Sequence, residues 1–141
     1  MPEIIAILPV LFYAGYTDYR YRIIHNKASV FLIIIGAAEV LFFNEFFHTS
    51  LTERLLISVS VFLLFYLAYR LKPGSTGGGD VKLFASLGVC LGIKVLTVLI
   101  LSCIAGIVYW AVTKDKKIPM GSAAFAGAIL AVVLENIVKF F

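Results

Sequence analysis

Long apolar blocks alternate with short polar islands along the whole chain. The blocks run from about Ile4 to Thr17, Ala28 to Phe47, Leu55 to Leu71, Val81 to Gly92, Val95 to Thr113 and Met120 to Val138. A helix needs about 20 mostly apolar residues to cross a bilayer. The pattern therefore predicts an all-α fold: a polytopic membrane helix bundle of about six segments. The fourth block, "VKLFASLGVCLG", is too short for an ordinary span and predicts a short or re-entrant helix. No linker separates two halves, and no internal repeat is visible, so residues 1–141 read as a single membrane-embedded domain.

Composition sharpens this picture. The chain is 62% hydrophobic with a mean hydropathy of +1.03, against roughly 45–50% apolar residues in ordinary soluble domains. Too few polar residues are present to cover a soluble surface. The net charge of +4 does not form a stripe that would bind nucleic acid. The bases sit in the islands instead, as membrane orientation demands. Arg20, Arg22, Lys27, Arg70, Lys72, Lys82, Lys114, Lys116 and Lys117 fall on one side, and only Arg54, Lys94 and Lys139 on the other. The islands near 18–27, 70–82 and 114–119 should then face the cytoplasm, with both termini outside. The start, Met1-Pro2-Glu3, lacks the positive charge of a signal peptide and predicts a retained first span. Cys90 and Cys103 both lie in apolar blocks without C-x-x-C spacing, which excludes a zinc site and predicts buried free thiols.

Most of the acids have plain readings. Glu3, Glu45, Glu53 and Asp115 should be solvated, and Glu135 can reach the interface. Glu39 is different, because an ionisable group inside a span is costly and is a candidate for function by default. Its place in the outer half of its segment favours a hydrogen-bonded structural carboxyl. Asp18 ends the first segment and Asp80 opens the fourth, both on the predicted cytoplasmic side. Alone, Asp18 would be an interfacial acid balanced by Arg20 and Arg22, and Asp80 a helix N-cap. Their shared depth points further, to a carboxylate pair.

Close carboxylates share a proton and titrate as a coupled pair. One, ionised, can take a proton from water while the other, protonated, donates to the carbonyl oxygen of an amide, as in aspartic proteases. The run Gly77-Gly78-Gly79 immediately before Asp80 fits that chemistry. Glycines let an extended peptide approach the backbone closely, whereas a plain flexible loop would explain the glycines but not the acid. Lys82 could favour an ionised carboxylate, contact an acidic group on a substrate, or snorkel to the interface.

At this point the chain resembles a known family, the prepilin and preflagellin peptidases, membrane aspartic proteases of the G-x-G-D type. Three stretches carry the resemblance: "DYRYRIIHN" (Asp18 to Asn26) for D-x-R-x-x-x-I-P-N, "GGGDVKL" (Gly77 to Leu83) for G-x-G-D-x-K, and "IPMGS" (Ile118 to Ser122) for I-P-x-G-P. The resemblance implies that Asp18 and Asp80 are the catalytic pair and that the activity needs no metal or organic cofactor. It implies prepilin-like substrates, with a short basic leader ahead of an apolar helix, cut at the cytoplasmic face of a prokaryotic inner membrane. His25 and Ser122 stand where the family has prolines, which alters loop stiffness. The cysteine-rich insert of larger, bifunctional relatives is missing, so the resemblance is to a short, peptidase-only branch without methyltransferase activity. The rival from another class is a small transporter or channel subunit using Asp18, Glu39 and Asp80 as a proton or cation path.

Overall fold

The computed structural model describes residues 2–47, 50–71, 77–114 and 117–140, with the side chains at 2, 3 and 43–47 left out. The expectations for Lys72, the "PGST" stretch, Asp115, Lys116 and the carboxyls of Glu3 and Glu45 lie outside the described residues. Every described element is helical: α1 (Pro2–Tyr21), α2 (Asn26–Phe47), α3 (Leu51–Leu71), α4 (Gly78–Leu91), a 3-10 turn (Gly92–Lys94), α5 (Val95–Thr113) and α6 (Met120–Phe140). No strand occurs among the described residues, so the all-α expectation holds.

Among the described residues, three helical stretches are long and apolar enough to cross a membrane: Leu51–Leu71, the continuous run Gly78–Thr113, and Met120–Phe140. The shortness predicted for the fourth segment is real, because α4 closes at Gly92, whose φ of +54° suits glycine and few other residues. α1 is not among the three; it continues beyond its apolar block through Asp18, Tyr19 and Arg20 to Tyr21. The block read at 28–47 runs into the residues whose side chains are not described.

The helices divide into two compact units, one from the residues up to Ile24 together with those from Leu96 onward, the other from His25 to Val95. In the first unit α1 lies along α6. The buried side of α6 is built from Gly121, Ala123, Ala124, Gly127, Ala128 and Ala131, the small residues that let helices approach closely in a bilayer. The Ala123, Gly127 and Ala131 positions repeat every fourth residue, one turn apart. A Cβ on Gly127 would meet the hydroxyl and the backbone nitrogen of Ser102 on α5. A Cβ on Gly15 of α1 would come within 3.2 Å of the Gly121 carbonyl oxygen.

In the second unit α4 packs against both α2 and α3. The Phe65 and Phe84 rings stack with centroids 5.0 Å apart. A Cβ on Gly88 would lie 2.8 Å from the Ser58 Cα, and one on Gly36 would lie 3.0 Å from the Cys90 Cα. Two polar groups at these close contacts find backbone partners. Ser58 Oγ donates to the Ala85 carbonyl at 2.7 Å, and the Cys90 thiol to the Leu32 carbonyl at 2.7 Å.

Arg54 departs from the sequence reading. Counted there as a base of an outer island, it sits in the first turn of α3 and is only 2% exposed. Its guanidinium donates to the Cys90 carbonyl at 2.7 Å and lies 3.5 Å from a carboxylate oxygen of Glu39. Cys90 is in the last turn of α4, where backbone carbonyls have no partner within the helix and the dipole is negative. One arginine thus ties α2, α3 and the end of α4 together. Removing one member of a buried ion pair costs about 3–5 kcal/mol, whereas replacing both can be near neutral. In detergent micelles Arg54→Met should lower stability on that scale, and Arg54→Met with Glu39→Met should recover most of it. Chemical denaturation of the three proteins, followed by circular dichroism, tests this.

Candidate active site

Asp18 lies in the last turns of α1, on its buried side, and is 7% exposed. One carboxylate oxygen, Oδ2, accepts the Gly121 backbone N–H at 2.7 Å. Gly121 is the second residue of α6, so this N–H is one of the donors that the start of a helix leaves without an intrahelical acceptor. The positive end of the α6 dipole adds to the attraction. Gly121 must be glycine for the geometry to form, since a Cβ there would sit 2.9 Å from the Asp18 Cβ and 3.1 Å from the Ala14 carbonyl oxygen. Around this bond the flanking backbone is tied as well. Arg22, at φ 56°, turns the chain out of α1 and donates its N–H to the Asp18 carbonyl at 2.9 Å. Its guanidinium donates to the Lys117 carbonyl, just ahead of α6. The "DYRYR" and "IPMGS" stretches, about a hundred residues apart in sequence, are therefore one structural element inside the first unit.

Asp80 belongs to the second unit and is half-buried. The sequence reading offered an N-cap as its plain structural role; it is instead the third residue of α4, and Gly77 is the N-cap. The Asp80 carboxylate reaches back to accept the Gly77 N–H at 3.0 Å, while its own N–H donates to the Gly77 carbonyl at 3.0 Å. This is the backward half of a capping box. It carries the helix three residues further toward the N-terminus than the block from Val81 suggested, so Gly78 and Gly79 lie in the first turn of α4 and are not loop. Beside Gly78 no atom of the described residues lies within 4 Å of where a Cβ would be. The Gly77 Cβ position, by contrast, is 3.2 Å from Asp80 Oδ2.

Lys82 is two residues further along, and its ammonium donates to Asn26 Oδ1 at 3.2 Å. Asn26 ends the "DYRYRIIHN" stretch and begins α2. The first and second stretches are thereby joined within the second unit, as the first and third are within the other. His25 is exposed, and its carbonyl accepts the Ala28 N–H at 3.0 Å. Ser122 donates its hydroxyl to the Pro119 carbonyl at 2.8 Å, a local bond that braces the turn where the family pattern has a proline.

Glu39 faces Arg54 in the core of the second unit, an ion pair that fits the structural carboxyl expected there and does not favour a proton or cation path. No group of three or more potential metal-ligating side chains occurs among the described residues. What sequence reasoning did not supply are the roles of Gly121 and Asn26. Both stand in the quoted stretches, but a backbone N–H and an amide on a distant helix leave no trace in spacing alone.

The family model described as the type IV leader peptidase family matches residues 5–111, which include both Asp18 and Asp80. The chain is 27% identical to the prepilin leader peptidase/N-methyltransferase of Bacillus subtilis (strain 168), over 97% of its own length and 58% of that protein's. It is 28% identical to the protein of the same name from Haemophilus influenzae, over 95% of its length and 59% of the relative's. The chain thus spans less than three-fifths of these curated relatives. No solved structure matches it. A match over most of the chain, joined to two buried or half-buried aspartates each held by a glycine N–H, places this protein in the type IV leader peptidase family.

Proposed function

We propose that this chain is an aspartic endopeptidase that removes the basic leader from prepilin-like precursors, with Asp18 and Asp80 as its catalytic pair. The family match across both residues carries the reading. In this scheme residues 1–141 act as one membrane domain of about six segments in a prokaryotic inner membrane. Both termini lie outside, and the acids work at the cytoplasmic surface. One carboxylate, ionised, takes a proton from water, and the oxygen attacks the scissile carbonyl. The other carboxyl gives its proton to the carbonyl oxygen; collapse of the intermediate then breaks the C–N bond, with a proton delivered to the leaving amine. The hydrogen bonds from Gly121 and Gly77 support the scheme by fixing how each carboxyl is turned. The open side of Gly78 leaves room for a substrate backbone beside Asp80.

The relatives' names also include N-methyltransferase. For residues 1–141 we propose the peptidase alone, with no metal or organic cofactor, on the resemblance of their three motifs to the short, peptidase-only branch.

Three outcomes are expected when the purified chain is mixed with a prepilin-type precursor in detergent. Asp18→Asn and Asp80→Asn each abolish cleavage while the protein still inserts and keeps its helical spectrum; normal processing by either variant removes that residue from the mechanism. Wild-type product carries no added methyl group when S-adenosylmethionine is supplied, as read by mass spectrometry. Gly121→Ala lowers cleavage by about tenfold or more, because losing a hydrogen bond to a charged group is worth about 1.5–3 kcal/mol.

Gly78→Ala separates substrate room from helix chemistry. With open space at the Cβ position, alanine should hold or raise thermal stability by up to about 1 kcal/mol. Cleavage should nevertheless fall through a higher KM. An unchanged KM would leave the glycine with no role toward substrate.

A further inference from the structure

Apart from the candidate active site, the second unit carries a groove of about 420 Å³ between α2, α3 and α4. Its lining follows the helix repeat. From α2 come Asn26, Ser29, Val30 and Ile33, and from α4 come Lys82, Ala85, Ser86 and Val89. Each set has the i, i+3, i+4, i+7 spacing of one helix face. Ser58 and Phe62, one turn apart, line it from α3.

The groove is polar at one end and apolar along its length. At the polar end the Lys82 ammonium meets Asn26 Oδ1 at 3.2 Å, a neutral partner, and no acid pairs with it among the described residues. Beside it Ser29 is 7% exposed, and its hydroxyl has no hydrogen-bond partner among the described residues. A buried hydroxyl without a partner costs free energy and asks for one. Further along, Val30, Ile33 and Phe62 are 53%, 46% and 40% exposed. About one turn beyond the apolar end, the contact of Gly36 with Cys90 and the Arg54–Glu39 pair close the space between the helices.

The groove shares Lys82 and Asn26 with the stretches that carry the candidate acids, but it lies on the side of α4 away from Asp80. At 100° per residue, Lys82 is about 200° around α4 from Asp80. The groove residues 82, 85, 86 and 89 cluster on that far side, whereas Phe84 and Leu87, both buried, lie beneath Asp80.

We propose that this groove holds an anionic phospholipid. The phosphodiester would sit at the Lys82 ammonium with the Asn26 amide and the Ser29 hydroxyl, and one acyl chain would run along Val30, Ile33, Phe62 and Val89. Charge selects the occupant: a cation whose partner among the described residues is a neutral amide, at the end of an apolar slot in a membrane protein, matches a lipid phosphate above an acyl chain. The lipid would bridge three helices of the unit that holds Asp80. This assignment does not depend on the peptidase reading.

Native mass spectrometry of the full chain released from micelles containing phosphatidylglycerol or phosphatidylcholine tests it. Wild type should retain one phosphatidylglycerol and bind phosphatidylcholine about tenfold more weakly, because the quaternary ammonium of phosphatidylcholine offsets the charge of its phosphodiester and repels the nearby Lys82 ammonium. Lys82→Gln should lose the same factor, and Ala85→Phe, which fills the slot, should abolish retention of both lipids. Lys139→Gln, on α6, should bind as wild type does. Circular dichroism and melting confirm that each variant is folded. Equal retention of the two lipids, or unchanged phosphatidylglycerol binding by Lys82→Gln, overturns the proposal. So does displacement of the lipid by a prepilin-type precursor, which would give the groove to substrate. Lipid binding is read without catalysis, so an inactive enzyme leaves the test intact.

Discussion

A bilayer offers no water to a buried hydrogen-bonding group, and a polar atom taken inside is costly unless a partner answers it. Arg54 shows the consequence most clearly. It is almost fully buried, and it is tolerated because the Cys90 carbonyl and the Glu39 carboxylate receive it from two neighbouring helices. The bond between Asp18 and the Gly121 N–H follows the same rule in the first unit. These bonds have short reach, so they dictate how near the helices must come.

Glycine and alanine supply that nearness. Gly88 against Ser58, Gly36 against Cys90 and Gly127 against Ser102 are contacts at which a single added methyl would push a helix away. Without a hydrophobic drive between helices in lipid, such packing and the bonds it permits hold the bundle together. The small residues of α6 therefore serve two ends: they seat α1, and they bring a helix N-terminus onto a carboxylate.

The two candidate acids are built alike. Each accepts the backbone N–H of a glycine at the start of a helix, Asp18 from Gly121 and Asp80 from Gly77. In both, a side chain on that glycine would crowd the acid. The carboxyls are thus positioned by main chain, whose donors do not change charge or rotamer. That suits groups proposed to exchange protons with water and an amide.

Much of this was legible in the sequence. Block lengths and composition imply apolar helices because apolar length is what a bilayer demands, and the bounds of α5 fall where the pattern put them. The stretches around Asp18, Asp80 and Gly121 also stand out in one dimension, since their glycines and acids are too costly for a purely apolar segment. Other features were decided only by the tertiary structure. Arg54 reads as a loop base until α2 and α4 are placed around it. Asp80 reads as a cap until its carboxylate turns back to Gly77 and draws two glycines into the helix. The Gly121 N–H and the Lys82–Asn26 contact join residues 103 and 56 positions apart. Composition and period record what each segment needs from its surroundings; which distant group supplies it depends on helix packing, and packing is a property of three dimensions.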